Sequence, residues 1–366
     1  MTRVLFDGRP LSDVHSRHRG IGVFVRSLLS NLAGIPWLTV RTLVDPSTEV
    51  PEGIRTMPVR RLHEHRLTVL EHRLRLSWEI RRSAADVFHS PALEPPIRCP
   101  IPWLQTLHDV TPLVYDHPFF RQERRHWERV FRRMRDASTI VAVSRYSADA
   151  AIRMLGLEPR RVFVVPNGVD PIFRPPAQRR ESDPPYVLYV GVYGPHKGYA
   201  EAFELVSELA RRGYPHRLKV VGTLNPWRER EIARLLDRCE HPDRVDLLGF
   251  VTNDELRAQY EGASALVVTS RSEGFGLPAV EAMATGTPVL AFDNTALREV
   301  IGEGGVLVPD GDVTSMVNEC AAVIDDASHA RSLSARGIDR AKAFDWAIVA
   351  GRYAELYRET ASRSSR

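Results

Sequence analysis

Cysteine is scarce and lysine nearly absent. Among 366 residues there are three cysteines, Cys99, Cys239 and Cys320, none at CxxC spacing. That pattern excludes a disulfide framework and a thiolate metal site, and it fits a reducing compartment. No run of 18 or more apolar residues occurs, so a membrane-spanning helix is not expected. The N-terminal string Met-Thr-Arg-Val-Leu-Phe-Asp enters a strand directly and lacks a signal-peptide pattern. The expected location is the cytoplasm. There is no HExxH helix, the histidines do not pair at metal spacing, and no metal site is expected. GxSxG is missing too, which removes a hydrolase elbow. The only lysines are Lys197, Lys219 and Lys342, against 47 arginines. A lysine in a glycine-bounded loop therefore stands out, and Lys197 occupies one.

What is present is an apolar content of 43%, enough for sizeable cores in a chain long enough for two domains. The charge is uneven. Residues 1–170 hold 26 Arg/Lys against 18 Asp/Glu, a net +8; the remainder holds 24 against 28, a net −4. The excess concentrates in Arg55–Arg82 and Arg121–Arg135, both expected to be helical with apolar residues interleaved. Such a surface fits a solvated arginine-rich helix face, and it also suits an anionic acceptor or peripheral contact with the inner face of a membrane. No nucleic-acid-binding motif accompanies it.

Strands and helices alternate throughout, the pattern of an α/β protein with parallel sheets. The first half reads as strands at Arg3–Asp7, Leu38–Val44, Asp86–Ser90, Pro102–Asp109, Ser138–Ser144 and Val162–Pro166. Helices are expected at Gly22–Leu32 and Tyr146–Leu155. A proline-rich stretch without periodicity, residues 171–185, reads as a linker. A second set of strands follows at Tyr186–Gly191, Arg217–Gly222, Val245–Phe250, Ala263–Ser270, Pro288–Phe292 and Val306–Val308. Asp345–Thr360 is amphipathic and expected to be a closing helix. The expected organisation is thus residues 1–170, a linker, residues 186–345, and a closing helix and tail over 346–366.

The most informative string is Glu273-Gly-Phe-Gly-Leu-Pro-Ala-Val-Glu281, two carboxylates with seven residues between them. It follows an apolar strand. Gly274 and Gly276 let backbone amides approach a ligand. Pro278 suits the first turn of a helix, and Gly286 with Pro288 ends it. A helix start of this kind receives anions, while carboxylates accept from sugar and ribose hydroxyls. Lys197 lies in Gly191-Val-Tyr-Gly-Pro-His-Lys-Gly198, where its ammonium would meet a diphosphate. Arg19-Gly-Ile-Gly22 opens a helix after the first strand but lacks the third glycine of a dinucleotide fingerprint. His108-Asp109 ends a strand, where a histidine reaches a ligand crevice. A structural histidine bonded to Asp109 fits the same string.

These residues carry a family resemblance. Pro166-Asn-Gly-Val-Asp170, Tyr189-Val-Gly191 with Lys197-Gly198, Val220-Val-Gly222, Leu248-Gly-Phe-Val251 and the string from Ser270 to Val289 resemble the family 4 retaining glycosyltransferases. Arg19-Gly-Ile-Gly22, Leu107-His-Asp109 and Val143-Ser-Arg-Tyr-Ser147 extend the likeness toward the N-terminus. The resemblance implies a GT-B fold: two Rossmann-like domains facing a cleft, the second holding a nucleotide sugar, the C-terminal helix crossing back.

By the same resemblance, Lys197 would hold the diphosphate and Glu273 the donor sugar hydroxyls. The backbone of Gly274, Phe275 and Gly276, with Leu277, would face sugar and phosphate. Glu281 would accept from the ribose, and Phe250 and Val251 would line the base. Gly22 and His108 would reach phosphate and sugar from the first domain, with Arg19 and Asp109 nearer the acceptor. Such enzymes need no metal and no cofactor beyond the nucleotide sugar. Asp7-Gly-Arg-Pro-Leu11 leans toward GDP-mannose, with UDP-sugars close behind. The acceptor would be a polysaccharide intermediate, a lipid-linked sugar or a small molecule. One departure stands out: where relatives carry a second cation for the diphosphate, this chain has Val192 and His196. A nucleotide-sugar epimerase or hydrolase, and a non-catalytic sugar-nucleotide-binding protein, remain the alternatives.

Overall fold

The computed structural model describes residues 1–13, 20–59, 75–92, 96, 98–178, 182–223 and 225–362, without the side chains of residues 122–124. The chain forms two compact units. Unit 1 is Met1–Gly168 together with Trp346–Arg366, and unit 2 is Val169–Asp345.

Unit 1 holds a seven-stranded sheet of β1 (Thr2–Asp7), β2 (Leu38–Val44), β3 (Arg55–Pro58), β4 (Val87–Ser90), β5 (Trp103–Leu107), β6 (Thr139–Ala142) and β7 (Val162–Val164). The order is β3-β2-β1-β4-β5-β6-β7 and every pairing is parallel. Its helices are α1 (Arg9–Ser12), α2 (Gly20–Leu32), α3 (residues 75–82), α4 (Thr111–Val114), α5 (Pro118–Met134) and α6 (Arg145–Leu155). Alternate strand residues feed two cores, as a period of two requires. Val4, Phe6, Leu104 and Val141 pack under α2 and the C-terminal helix, whereas Leu5, Phe88, Trp103 and Ile140 pack under α3, α5 and α6.

Unit 2 holds β8 (Tyr186–Val190), β9 (Arg217–Val221), β10 (Val245–Gly249), β11 (Leu266–Val268), β12 (Val289–Phe292) and β13 (Val306–Val308). All run parallel in the order β10-β9-β8-β11-β12-β13. Its helices are α7 (Tyr199–Arg211), α8 (Pro226–Leu236), α9 (Asn253–Gly262), α10 (Leu277–Thr285), α11 (Leu297–Ile301), α12 (Val313–Asp325) and α13 (Ala327–Ala341). In each unit the strand order reverses once, between β1 and β4 and between β8 and β11. Such switch points open a crevice at the carboxyl ends of the strands.

The last helix, α14 (Trp346–Ser362), belongs to unit 1. Trp346, Val349, Tyr353 and Tyr357 enter the core beside Phe24 of α2. A buried polar chain bolts it to the sheet: His89 Nδ1 meets the Tyr357 hydroxyl at 2.7 Å and His89 Nε2 meets Thr106 Oγ1 at 2.7 Å. Thr106 in turn meets the Tyr353 hydroxyl at 3.1 Å.

Two expectations need correction. Arg55–Arg82 is not one helix: Arg55–Pro58 is an edge strand, only 75–82 of the described residues are helical, and residues 60–74 lie outside the described part. An edge strand exposes polar side chains, so its alternation is masked. The stretch 171–185 clusters with unit 2, where Phe173 is buried edge-to-face on Tyr260, ring centroids 5.7 Å apart. A segment without regular structure can still be packed when one large apolar side chain anchors it. Among the described residues no helix is long and apolar enough to cross a membrane.

Candidate active site

The switch point of unit 2 receives two loops. One runs from β8 to α7 and carries Lys197; the other runs from β11 to α10 and carries Glu273. Both are set by glycine. Gly198 caps α7 at φ +68°, and a Cβ there would lie 1.9 Å from the Thr269 carbonyl oxygen. Gly276 caps α10 at φ +89°, where a Cβ would lie only 2.7 Å from Leu297. Such φ values and approaches need the missing side chain. Gly222 is equally tight: its N–H donates to the Gly249 carbonyl, 3.0 Å, and a Cβ would strike the Gly191 oxygen at 2.2 Å. The carboxyl ends of β8, β9 and β10 are thereby stitched together.

The loops grip each other. Thr269 Oγ1 donates to the Gly198 carbonyl at 2.6 Å, and the Arg271 N–H to the His196 carbonyl at 2.7 Å. The Arg271 guanidinium donates to Glu201 at 2.6 Å and lies 3.6 Å from Asp310, so its charge is committed to two acids. Lys197 Nζ donates to Glu273 Oε1 at 2.7 Å, and both side chains are largely buried, 21% and 14% exposed. Burial by itself would raise the Glu273 carboxyl. The Lys197 charge and hydrogen bonds from Lys197 and Ser270 outweigh it, with His196 adding to the pull, and the carboxyl sits below its usual range. The two form an ion pair, an ammonium beside an acceptor-only carboxylate.

Glu281 differs. It is the fifth residue of α10 and accepts from the Tyr260 hydroxyl at 2.8 Å. Burial pushes its pKa up to about 8, against the lowering effect of that bond, and Asp170 adds to the rise. Gly274–Gly276 lead into α10, with Pro278 in its first turn and Gly286 closing it at φ +76°. The Phe275 ring points into the core, edge-to-face on Phe344 at 5.6 Å, so only its backbone is left for a ligand. Leu277 opens the helix half-buried. Phe250, just past β10, is 57% exposed, and Val251 beside it is half-buried. Among the described residues no group of three His, Cys, Asp or Glu could hold a metal. The one Asp-x-Asp string, Asp310-Gly311-Asp312, serves structure: Asp310 accepts from Asn294, and Asp312 caps α12 through Ser315.

Unit 1 carries a neutral histidine just past one of its strands. His108 follows β5, and its Nε2 donates to the Pro91 carbonyl at 2.9 Å. Burial lowers its pKa to about 4, only partly opposed by that bond. Its ring stands edge-on to Phe24 at 4.7 Å. The partner is Pro91 rather than Asp109, whose carboxylate accepts from the Thr111 N–H at 2.7 Å and starts α4. With Nε2 committed and no charge at neutral pH, His108 offers Nδ1 as an acceptor and cannot stabilise developing charge as a cation. Gly22 is buried in the first turn of α2. Arg19 lies outside the described residues.

Sequence reasoning missed Tyr260, which meets Glu281, and Asn294 and Thr295. Asn294 Nδ2 donates to the Ser270 carbonyl at 2.9 Å, and the Glu273 N–H donates to Thr295 Oγ1 at 3.1 Å. Nothing in the local sequence pattern around these residues marks a site.

A family model described as "Glycosyl transferases group 1" matches residues 173–340, and one described as "Glycosyltransferase Family 4" matches residues 19–173. The O-antigen chain mannosyltransferase B of Escherichia coli is 28% identical over 290 residues, 76% of this chain and 75% of that protein. A D-inositol 3-phosphate glycosyltransferase of Paenarthrobacter aurescens is 26% identical over 382 aligned positions, 94% of this chain and 93% of its own. Among solved structures, sucrose-phosphate synthase from Thermosynechococcus elongatus superposes with a TM-score of 0.80 at 24% identity, covering 98% of this chain and 99% of its own; that likeness speaks to the fold. Two abutting matches from residue 19 to residue 340, on two parallel Rossmann-like sheets, establish that the chain belongs to the family 4 glycosyltransferases of GT-B fold.

Proposed function

We propose that the protein transfers a hexose, mannose in first place, from a nucleotide diphosphate sugar to a carbohydrate, lipid-linked or small-molecule acceptor, with retention and without a metal. The ionised Lys197–Glu273 pair at the switch point of unit 2 carries this reading. A leaving diphosphate needs a cation, and a sugar hydroxyl needs an acceptor-only anion. In this scheme Lys197 moves onto the diphosphate, and the Gly274–Gly276 amides share its charge. Glu273 fixes the sugar hydroxyls, Glu281 takes the ribose, and Phe250 with Val251 lines the base.

The sugar C1–O bond breaks on the face where the acceptor oxygen arrives, and the new C1–O bond forms there. The acceptor proton passes to the departing diphosphate oxygen, which makes a protein nucleophile unnecessary. His108, neutral, positions the sugar through Nδ1. The acceptor is assigned to unit 1, with Arg19 and Asp109 near it. The exposed arginines of α5, including Arg121, Arg125, Arg129 and Arg132, suit an anionic or membrane-borne acceptor. The mannosyltransferase reported among the relatives supports mannose as the sugar; GDP-mannose is the favoured donor, with UDP-sugars as the comparison. A thermal-shift panel of nucleoside diphosphates and their sugars should single out one base by several degrees. With that donor, Lys197→Ala and Glu273→Ala should each cut turnover by about 10²-fold or more, and the anomeric configuration of the product should match the donor's. If both variants keep wild-type turnover, this assignment is wrong.

A further inference from the structure

Two non-glycine residues have a positive φ among those described, Ala84 and Thr295, and the second, at φ +42°, is β-branched. A β-branched residue in the left-handed region is strained, and such strain persists only where surrounding structure holds it. Thr295 stands in the turn between β12 and α11, in direct contact with the loop of Glu273. Its hydroxyl accepts from the Glu273 N–H at 3.1 Å and donates to Asn294 Oδ1 at 3.0 Å. Asn294 donates in turn to the Ser270 carbonyl at 2.9 Å and to Asp310 at 2.6 Å. Two residues on, the fully buried Leu297 leaves no room for a side chain at Gly276. One turn thus touches the carboxylate loop at its beginning, at Glu273 and at its end. Lys197 fixes the tip of the Glu273 side chain, and Thr295 fixes its backbone.

We propose that Thr295 is a positioning residue for the donor sugar. Its hydroxyl, held in a conformation that glycine would adopt without strain, sets the backbone of Glu273 so that the carboxylate meets the sugar hydroxyls. This rests on the role given to Glu273 above. Thr295 acts first on the sugar: its bond is to the Glu273 N–H, ahead of the Gly274–Gly276 amides, and the ammonium of Lys197, the main partner of the diphosphate, comes from the other loop.

The test is the ratio of dissociation constants for nucleoside diphosphate and nucleotide sugar, by calorimetry with GDP and GDP-mannose and with UDP and UDP-glucose. Wild type, Thr295→Val, Thr295→Ser and Glu273→Gln are compared. Thr295→Val keeps the shape without the hydroxyl; Thr295→Ser keeps the hydroxyl. The expected result is a shift of the ratio toward the diphosphate of roughly tenfold in Thr295→Val, the same direction in Glu273→Gln, and less than about twofold in Thr295→Ser, with diphosphate affinity itself unchanged. A wild-type ratio in Thr295→Val while Glu273→Gln shifts overturns this inference alone. So does an equal loss in Thr295→Ser, or a Thr295→Val protein that no longer binds the diphosphate. An unmoved Glu273→Gln, or a wild type that binds neither pair, overturns the function proposed above as well.

Discussion

The two units bury polar groups at their strand ends in opposite ways. Unit 1 keeps His89 and His108 neutral. His89 is enclosed among aromatic rings and bonded to hydroxyls, with its pKa held well below normal by burial and by His108; His108 itself is bonded to a carbonyl. Unit 2 pairs Lys197 with Glu273, whose carboxyl is held below its usual range, and uses each to hold the other. The difference teaches where each kind of chemistry can be done. A neutral, buried framework supplies shape and hydrogen bonds but resists gaining charge. A pre-ionised pair already holds the charges that a diphosphate and a sugar require, and it needs only an exchange of partners on binding.

The largest expected effect comes from breaking the charged pair. Lys197→Ala leaves Glu273 with an uncompensated buried charge and should destabilise the protein by about 1–3 kcal/mol. Adding Glu273→Ala should restore part of that loss. Denaturant unfolding of the two single variants and the double checks it, and strict additivity would show that the pair is not coupled. The matching cut in the neutral unit is Tyr357→Phe, which leaves His89 Nδ1 without its hydroxyl. It should cost about 1–2 kcal/mol and lower the melting midpoint by several degrees, with turnover per folded molecule unchanged.

A third test sharpens the contrast with pH. His89 and His108 have folded pKa values below the unfolded value near 6.5. The unfolded chain then binds the extra protons, so unit 1 should lose stability as pH falls from about 6.5 toward 4. Glu281 runs the other way, its carboxyl raised from 4.5 to about 8. The folded state holds the extra proton, so this group should cost stability as pH rises from about 4.5 to 8. Melting curves across pH 4–9 should show both limbs, with Glu281→Gln flattening the upper one only. A variant that flattens both, or neither, would undo the division. The smallest effect concerns His196. If its ring supplements Lys197 on the diphosphate, His196→Ala should weaken nucleoside diphosphate binding by no more than a few-fold, read by calorimetry.

Much of the fold is legible in the sequence. Of the strands read from apolar runs and their glycine or polar ends, each lies within a few residues of an observed one. The Glu273–Glu281 helix begins and ends at the glycines that mark it in the sequence. Buried parallel strands give continuous apolar runs, and left-handed caps demand glycine, so both leave local marks. The edge strand Arg55–Pro58 passes for helix because exposed arginine-rich residues look alike in a strand and on a helix face. Thr295, Tyr260, His89 and Tyr357 leave no mark, since an ordinary polar residue acquires its role only from a partner distant in sequence.

The sequence by itself determined the alternation of elements, the glycine-built loops and the presence of a lysine and two glutamates in them, because each follows from residue spacing and backbone freedom. The tertiary structure alone decided which groups meet. It brought Lys197 to Glu273 across 76 residues and tied α14 back to His89 across 268. It also separated two similar carboxyls, one held ionised by an ammonium and one pushed toward neutrality by burial beside a phenol. The physical reason is that charge state depends on solvent exclusion and on the nearest opposite charge, and neither is a property of the chain until it has folded.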